Sequence, residues 1–220
     1  MTEAEAWDRG AEAWIERIRG DDLPVHPHDA ALFELLPPPS GRTLDIGCGE
    51  GRLTRALRAR GYEVAGYDQS ERLVEEARRA DPEGTYEAAR ADGLPVGDGA
   101  ASLALCVNVL PHVVELGDVV RELARVLAVG GALVAGFVHP IAEAGTYDEE
   151  ADELRVRRYF ERAPHAVPLG EAEVFHQHRT VEDYLRAFLG AGFVLADLRE
   201  VPGRTGQAPL YLDLLLRRGQ

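Results

Sequence analysis

The sequence predicts an α/β domain with a mostly parallel sheet. From Thr43 onward, short apolar runs of strand length alternate with segments whose apolar residues recur at helical spacing. A glycine-rich turn links the first of these runs to the helix that follows it. Strands that alternate with helices form parallel sheets through right-handed crossovers. Because 220 residues also suit one such domain, we expect a single domain over residues 1–220.

The first forty residues predict a helical cap ahead of the sheet. Apolar residues recur at helical spacing from Trp7, and prolines then interrupt the chain before a short helix over Asp29–Leu36. Trp7 and Trp14 lie seven residues apart, a spacing that is more typical of a buried packing stripe than of ligand contacts. We therefore assign residues 1–40 to an N-terminal helical cap.

Residues 41–138 are predicted to form the core of the sheet. Its strands are expected at Thr43–Ile46, Glu63–Tyr67, Thr85–Ala89, Ser102–Val109 and Ala132–Val138. The helices between them are expected at Leu53–Arg60, Glu71–Arg79 and Val119–Val126. The pair Gly130-Gly131 is interpreted as the turn into the last of these strands.

Residues 139–180 contain a charged stretch without a clear period. Acidic residues cluster at 148–150 and basic residues at 155–158. A charge block usually forms a solvated face, yet an insert of this length inside a compact domain is often a lid or a substrate wall. We interpret residues 139–180 as an insert that forms a lid or a wall on the substrate side of the ligand site.

Residues 181–220 are predicted to form a helix and a hairpin. Thr180, followed three residues later by Asp183, resembles a capping box at the start of the helix. The apolar runs Val194–Leu198 and Leu210–Leu216 then indicate two strands that pair as an antiparallel hairpin at the end of the sheet.

The charge balance excludes some partners. There are 38 acidic and 24 basic residues, and the net charge is −14. Such a surface repels a phosphate backbone and anionic lipid, so we expect no nucleic-acid partner and no membrane partner. No apolar run approaches the roughly 18 residues of a membrane span. The oligomeric state stays open, and a homodimer is one of the states allowed.

The N-terminus and the cysteines predict a cytoplasmic protein. The first ten residues are acidic and lack the apolar stretch of a signal peptide. Cys48 and Cys106 lie in apolar or glycine-rich surroundings, as expected of reduced thiols.

The strongest functional signal is the segment Leu44–Gly51, a strand that ends in a Gly-x-Gly-x-Gly turn. Side chains there would block the tight turn and the close approach of a ligand to the backbone. The spacing differs from the Gly-x-Gly-x-x-Gly of nicotinamide and flavin binders, and Asp45 precedes the first glycine within the strand. That carboxylate suits an ammonium or sulfonium ligand better than a pyrophosphate.

Two further acidic residues follow predicted strands. Asp68 ends the second strand, where an acidic side chain binds ribose hydroxyls in this architecture. Its alternative role is to cap the next helix, which Ser70 can do by itself. Asp92, after the third strand, can accept a hydrogen bond from the exocyclic amine of an adenine, and its alternative role is in an Asp-Gly turn.

An ordered series of motifs carries a family resemblance. The series comprises Leu44–Gly51, Asp68-Gln69-Ser70, Ala91–Val96, Leu105–His112 and Arg121–Gly131. It is similar to the motifs of class I S-adenosylmethionine (SAM)-dependent methyltransferases, most closely the small-molecule enzymes of the type 11 group. The resemblance implies a Rossmann-like fold with a mostly parallel seven-stranded sheet, a C-terminal antiparallel hairpin and helices on both faces. It also implies SAM as cofactor, and methyl transfer to a small-molecule acceptor, for which we expect an N or O atom.

The resemblance also implies roles for individual residues. Asp45 and Gly47 are expected at the methionine end of SAM, Asp68 at the ribose, Asp92 at the adenine, and Asn108 at the methionine moiety. The full set of expected cofactor-binding residues is Asp45, Gly47, Cys48, Gly49, Gly51, Asp68, Gln69, Ser70, Ala91, Asp92, Gly93, Asn108 and Val109.

Three histidines are candidate catalytic bases. Methyl transfer from a sulfonium is an in-line displacement, so most of the acceleration comes from alignment and a base is optional. An alcohol, phenol or ammonium acceptor loses a proton, and histidine suits that task. His112, His139 and His178 lie near strand ends or beside the expected pocket, and the flanks of His139 and His178 resemble acceptor-side motifs of the family. Pro111 departs from the family pattern, which puts the local geometry of His112 in question.

A metal site is not expected. The pairs His26/His28 and His176/His178 each place two rings on one side of a strand. A site would need a third and a fourth ligand, and no cysteine accompanies either pair.

Two other functions share the central features. A nicotinamide-dependent oxidoreductase also combines a glycine-rich turn with an acidic residue about 20 residues later, although Asp45 and the spacing to Gly51 argue against it. A SAM-binding protein that uses the fold for a reaction other than methylation is the second alternative. Protein acceptors also stay open.

Overall fold

The computed structural model describes residues 2–20, 27–148, 153–203 and 208–220. The helices are α1 (Glu3–Gly20), α2 (Pro27–Leu35), α3 (Arg52–Arg58), α4 (Glu71–Ala80), α5 (Leu116–Val126), α6 (Pro140–Glu143) and α7 (Val181–Gly190). The strands are β1 (Arg42–Ile46), β2 (Glu63–Asp68), β3 (Thr85–Ala88), β4 (Ala101–Val107), β5 (Leu127–Val138), β6 (Gly145–Asp148), β7 (Glu153–Val156), β8 (Pro164–Leu169), β9 (Ala172–Gln177), β10 (Phe193–Pro202) and β11 (Pro209–Arg218).

A seven-stranded sheet in the order β10-β11-β5-β4-β1-β2-β3 organises the described residues. β1 pairs in parallel with β2 and β4, and the parallel pairing continues to β3 on one side and β5 on the other. β11 is antiparallel to both β5 and β10. The expected mostly parallel sheet with a C-terminal antiparallel hairpin is therefore confirmed. β1 lies where the strand order reverses, the usual ligand-binding position in open α/β sheets.

Apolar side chains cover both faces of the sheet, as expected. On one face, Leu123 of α5 and Phe188 of α7 pack against Phe137 of β5, all fully buried. On the other face, Leu32 of α2 and Leu57 of α3 pack in a second fully buried cluster. The central strands are buried on both faces, so they read in the sequence as continuous apolar runs.

Two of the strand boundaries that differ from the prediction have a cause in the local backbone. β4 ends at Val107 because Asn108 adopts a left-handed backbone with φ 57°. β5 begins at Leu127, so Gly130-Gly131 lies inside the strand and not in a turn before it. The pairing with β4 shifts register there, from Ala101 opposite Leu127 to Leu103 opposite Ala132. Gly130 has φ 78°, a conformation suited to such an irregular segment.

The insert forms two small hairpins, β6–β7 and β8–β9, beside the short helix α6. α1 packs on the second hairpin, where Ala6 of α1 forms a buried cluster with Leu169 and Val174. Gly10 permits this approach, because a Cβ there would lie 2.5 Å from Leu169 Cδ2. The sequence does not predict these strands, because the insert is charged and the side chains of β7 and β8 are mostly exposed, which leaves no apolar pattern.

No helix among the described residues combines the length and the apolar character needed to cross a membrane.

Candidate functional site

A cavity of about 230 Å³ lies beside the carboxyl ends of β1, β2 and β4. The expected cofactor-binding residues that line it are Gly47, Gly49, Asp68, Gln69, Ala91, Asp92, Asn108 and Val109. The parallel pairing of β1 with β2 and β4 places the ends of these strands at one edge of the sheet. The remaining expected residues, Asp45, Cys48, Gly51, Ser70 and Gly93, are not among those that line the cavity.

The glycine-rich turn leaves its backbone open to this cavity. Gly47 N and Cys48 N both donate to the Tyr67 carbonyl oxygen, at 2.7 and 3.0 Å, which ties the turn to β2. A Cβ on Gly47 would lie 2.1 Å from Val109 Cγ2, and the φ of 72° disfavours any other residue. Gly51 is needed for packing instead, because a Cβ there would lie 2.8 Å from the Tyr86 ring.

Asp68 joins the turn to the start of α4 and also faces the cavity. Its Oδ2 accepts from Gly49 N and its Oδ1 from Ser70 N, both at 2.9 Å. Ser70 Oγ itself accepts from Leu73 N and so caps α4, which leaves Asp68 free of that role. Burial raises the pKa of Asp68 to about 6, against the opposing effect of the two backbone hydrogen bonds.

Asp45 lies beneath the turn. Its side chain is 1% exposed and accepts a hydrogen bond from Thr54 Oγ1 at 2.6 Å. Burial raises the pKa of Asp45 to about 6. Cys48 is also buried, and its thiol occupies the space above Gly66, where a Cβ would lie 2.9 Å from Sγ.

A charge pair and an amide complete the polar part of the cavity. Arg90 donates to both oxygens of Asp92, at 2.9 and 2.7 Å, which holds the pKa of Asp92 below its usual value. Asn108 N donates to the Gly136 carbonyl oxygen at 2.7 Å. The Asn108 Oδ1 atom is buried and has no hydrogen-bond partner among the described residues, so a ligand donor can satisfy it.

The helical cap forms another part of the cavity wall. Trp7 and Trp14 of α1 pack edge-to-face with ring centroids 5.7 Å apart, and both also line the cavity. The rings therefore have two roles: the predicted packing, and a place in the cavity wall that was not predicted. Helical spacing shows that two residues share a face, but it does not show what that face covers.

Among the candidate bases, His112 lies in the cavity wall. Its Nδ1 lies 3.3 Å from the Phe175 carbonyl oxygen; because a carbonyl only accepts, Nδ1 carries the proton and Nε2 has a free lone pair. Burial and the neighbouring His176 lower the pKa of His112 to about 3. Pro111, the departure from the family pattern, fits in the 3-10 turn Leu110–His112.

His139 and His178 are not among the residues that line the cavity. His139 caps α6, because its Nδ1 accepts a hydrogen bond from Ile141 N at 3.1 Å. Its Nε2 lies 3.2 Å from Glu200 Oε1. The ring of His178 lies between Glu143 Oε2, 3.2 Å away, and the Tyr159 carbonyl oxygen, 2.9 Å away.

The two histidine pairs have different surroundings. His28 is buried, 2.6 Å from Asp213 Oδ1, while His26 lies outside the described residues. His176 meets two residues that spacing alone did not indicate: its Nδ1 lies 3.1 Å from Glu143 Oε1, and His165 stands opposite it across the hairpin. One carboxylate thus lies among three histidines contributed by β8, β9 and the segment after β9.

Comparisons with known proteins identify the fold. Residues 44–135 match the family of methyltransferase domains of type 11. An S-adenosylmethionine-dependent methyltransferase from Mesorhizobium loti has a similar structure, with a TM-score of 0.77 and 28% identity, over 88% of this chain and 98% of that one.

Two curated relatives match the core of the chain. The 27-O-demethylrifamycin SV methyltransferase of Amycolatopsis mediterranei is 37% identical over 135 residues, 57% of this chain and 48% of that protein. The malonyl-[acyl-carrier protein] O-methyltransferase of Enterobacter lignolyticus is 33% identical over 105 residues, 48% of this chain and 42% of that protein. The matched part of the chain therefore spans about half the length of these relatives.

Proposed function

We propose that this chain is a class I SAM-dependent methyltransferase of the type 11 group, whose family model matches residues 44–135, and that it methylates an N or O atom of a small molecule. The observation that carries the proposal is the cavity at the strand ends, where the glycine-rich turn, Asp68 and Asn108 converge. S-Adenosylmethionine supplies, when bound, an electrophilic methyl group on a sulfonium.

The residues of the cavity fit this cofactor. The exposed backbone at Gly47 admits a ligand where a Cβ would collide with Val109. The unpaired Oδ1 of Asn108 can accept from the ammonium group of the methionine part. Asp68 has carboxylate lone pairs left after its two backbone hydrogen bonds, and these can accept from ribose hydroxyls. Asp45 acts through the turn, since Thr54 holds it beneath Gly47.

His112 is the histidine best placed for an acceptor. With Nδ1 committed to the Phe175 carbonyl, its Nε2 can accept a hydrogen bond from the N–H or O–H of an acceptor in the cavity. A pKa of about 3 keeps the ring neutral at physiological pH but makes it a weak base. We therefore assign His112 to orientation of the acceptor, with alignment supplying most of the rate. His139 and His178, which do not line the cavity, are assigned structural roles through their contacts with Ile141 and Glu143.

A small acceptor is favoured over a nucleic acid. The net charge of −14 opposes phosphate, and apolar side chains such as Val113 and Val119 form part of the cavity wall. The names of both curated relatives denote transfer to oxygen, which supports an oxygen acceptor here.

The test combines binding and turnover. The protein is titrated with S-adenosylhomocysteine and, separately, with NAD, and is then incubated with methyl-labelled SAM and a panel of phenols, alcohols, carboxylic acids and amines. We expect one S-adenosylhomocysteine per chain, no NAD binding, and label in at least one N or O acceptor by mass spectrometry. Binding of NAD alone would favour the oxidoreductase. Tight S-adenosylhomocysteine binding without label in any acceptor would instead favour a SAM-binding protein with another reaction.

A further inference from the structure

Glu143, His165 and His176 form a compact group beside the cavity. One ligand atom from each lies within 4.8 Å of the other two. Glu143 Oε1 lies 3.1 Å from His176 Nδ1 and 3.8 Å from His165 Nε2. Donor atoms about 2.0–2.1 Å from a tetrahedral zinc ion are separated by roughly 3.3 Å. The distances in this group are therefore close to those of a zinc site, and small rotations of the half-exposed His165 ring would close the difference.

The fold holds these residues together independently of any ion. His165 of β8 and His176 of β9 are directly opposite partners in the antiparallel hairpin, so their side chains share one face. Glu143, at the end of α6, is 5% exposed. Within the described residues, the basic groups within salt-bridge distance of this carboxylate are all histidines. Imidazole and carboxylate are ligands that a divalent transition metal prefers.

We propose that Glu143, His165 and His176 bind a divalent transition metal ion of the zinc type, which fastens the β8–β9 hairpin to α6. Two imidazoles and one carboxylate leave a fourth position for water, as in open zinc sites. His178 orients the carboxylate of Glu143, because its Nδ1 lies 3.2 Å from Oε2, the oxygen that does not face His165 and His176.

The position of the site connects it to the cavity. The ring of His176 packs edge-on against His112, with centroids 4.3 Å apart, and His112 lines the cavity. The same hairpin carries Leu169 and Val174, on which α1 rests. An ion that fixes the hairpin thus fixes the position of His112 in the cavity wall and the position of the helical cap. This inference goes beyond the proposed function, since metal binding is measured without turnover.

Zinc binding to the tag-free full chain tests the proposal. We expect one Zn²⁺ per chain by titration calorimetry, a higher Tm in its presence, and visible d–d absorption when Co²⁺ is used in its place. His165→Gln, His176→Gln and Glu143→Gln should each weaken Zn²⁺ binding at least tenfold and remove the Co²⁺ absorption. Glu173→Gln removes an exposed carboxylate from the same hairpin and should bind Zn²⁺ like the wild type.

His165 is the decisive position, because its half-exposed side chain can be replaced without a core defect. Retained S-adenosylhomocysteine binding by His165→Gln would show that this variant is folded, whether or not the protein methylates any acceptor. Wild-type Zn²⁺ affinity in a folded His165→Gln protein, or no stoichiometric Zn²⁺ binding by the wild type, would overturn the proposal.

Discussion

At the scale of single residues, Asp68 is expected to contribute most to cofactor binding. Its carboxylate holds Gly49 and Ser70 and also faces the cavity, so Asp68→Ala removes a ligand acceptor and loosens the turn together. Hydrogen bonds to a charged group are worth about 1.5–3 kcal/mol, so we expect S-adenosylhomocysteine affinity to fall roughly 100-fold in calorimetric titration. Asp118→Ala, at an exposed position on α5, is the control. Unchanged affinity in Asp68→Ala would contradict the ribose assignment.

Single residues also show which part of the site could be predicted. Gly47 and Asp68 were predicted from the glycine-rich turn and the end of the second strand, and Asn108 from the family resemblance; the order of the strands brings all three to one edge of the sheet. The group around Glu143 could not be predicted in this way. His165 and His176 meet through hairpin register, and Glu143 reaches them from α6. Register in a short, charged hairpin leaves little signal in the sequence.

At the scale of elements, the packing of α1 on the β8–β9 hairpin positions the cap. Gly10→Val would place a Cβ 2.5 Å from Leu169 Cδ2 and 3.3 Å from Leu169 Cβ; rotation of the buried leucine moves the first atom but not the second, so we expect α1 to shift. Because Trp7 and Trp14 line the cavity, we expect S-adenosylhomocysteine affinity to fall roughly three- to tenfold, with Tm lower by a few degrees.

The matched control introduces the same side chain at an exposed position of that helix. Glu12→Val introduces the same β-branched side chain but leaves the contact with Leu169 intact; it lowers helix propensity, whereas Gly10→Val does not. Equal loss of cofactor affinity in both variants would show that any valine introduced into α1, and not the position of the cap, determines the effect.

At the scale of the whole molecule, the sheet was predictable because burial on both faces imposes long apolar runs on its central strands. The alternation of these runs with helices gave the parallel order, and the last two strands were recognised as a hairpin. The role of the helical cap was not predictable, since α1 reaches the cavity through tertiary packing on an insert more than 140 residues away in sequence. Local periodicity reports which face is buried, not what buries it.

The stability of the molecule without cofactor should depend on pH through Asp45. Burial raises the pKa of this carboxyl from 3.8 to about 6, so the folded chain holds its proton more tightly than the unfolded chain does. The resulting stabilisation is complete below about pH 4 and is lost as the pH rises through about 6. At neutral pH the ionised, fully buried carboxylate therefore lowers the free energy of unfolding, in a position that a bound cation can compensate.

Asp45→Asn removes this ionisation while its amide oxygen can still accept from Thr54 Oγ1. We expect the cofactor-free variant to exceed the wild type in free energy of unfolding by roughly 2–3 kcal/mol at pH 8, and to match it at pH 4, in urea denaturation followed by circular dichroism. Asp118→Asn, at an exposed position, should differ from the wild type by less than about 0.5 kcal/mol at either pH. A difference between Asp45→Asn and the wild type that is the same at both pH values would show that packing, and not ionisation, sets the effect. The α-ammonium group of S-adenosylhomocysteine, whose sulfur is an uncharged thioether, can offset the ionised Asp45, so the wild type should also gain more stability from this ligand at pH 8 than Asp45→Asn does.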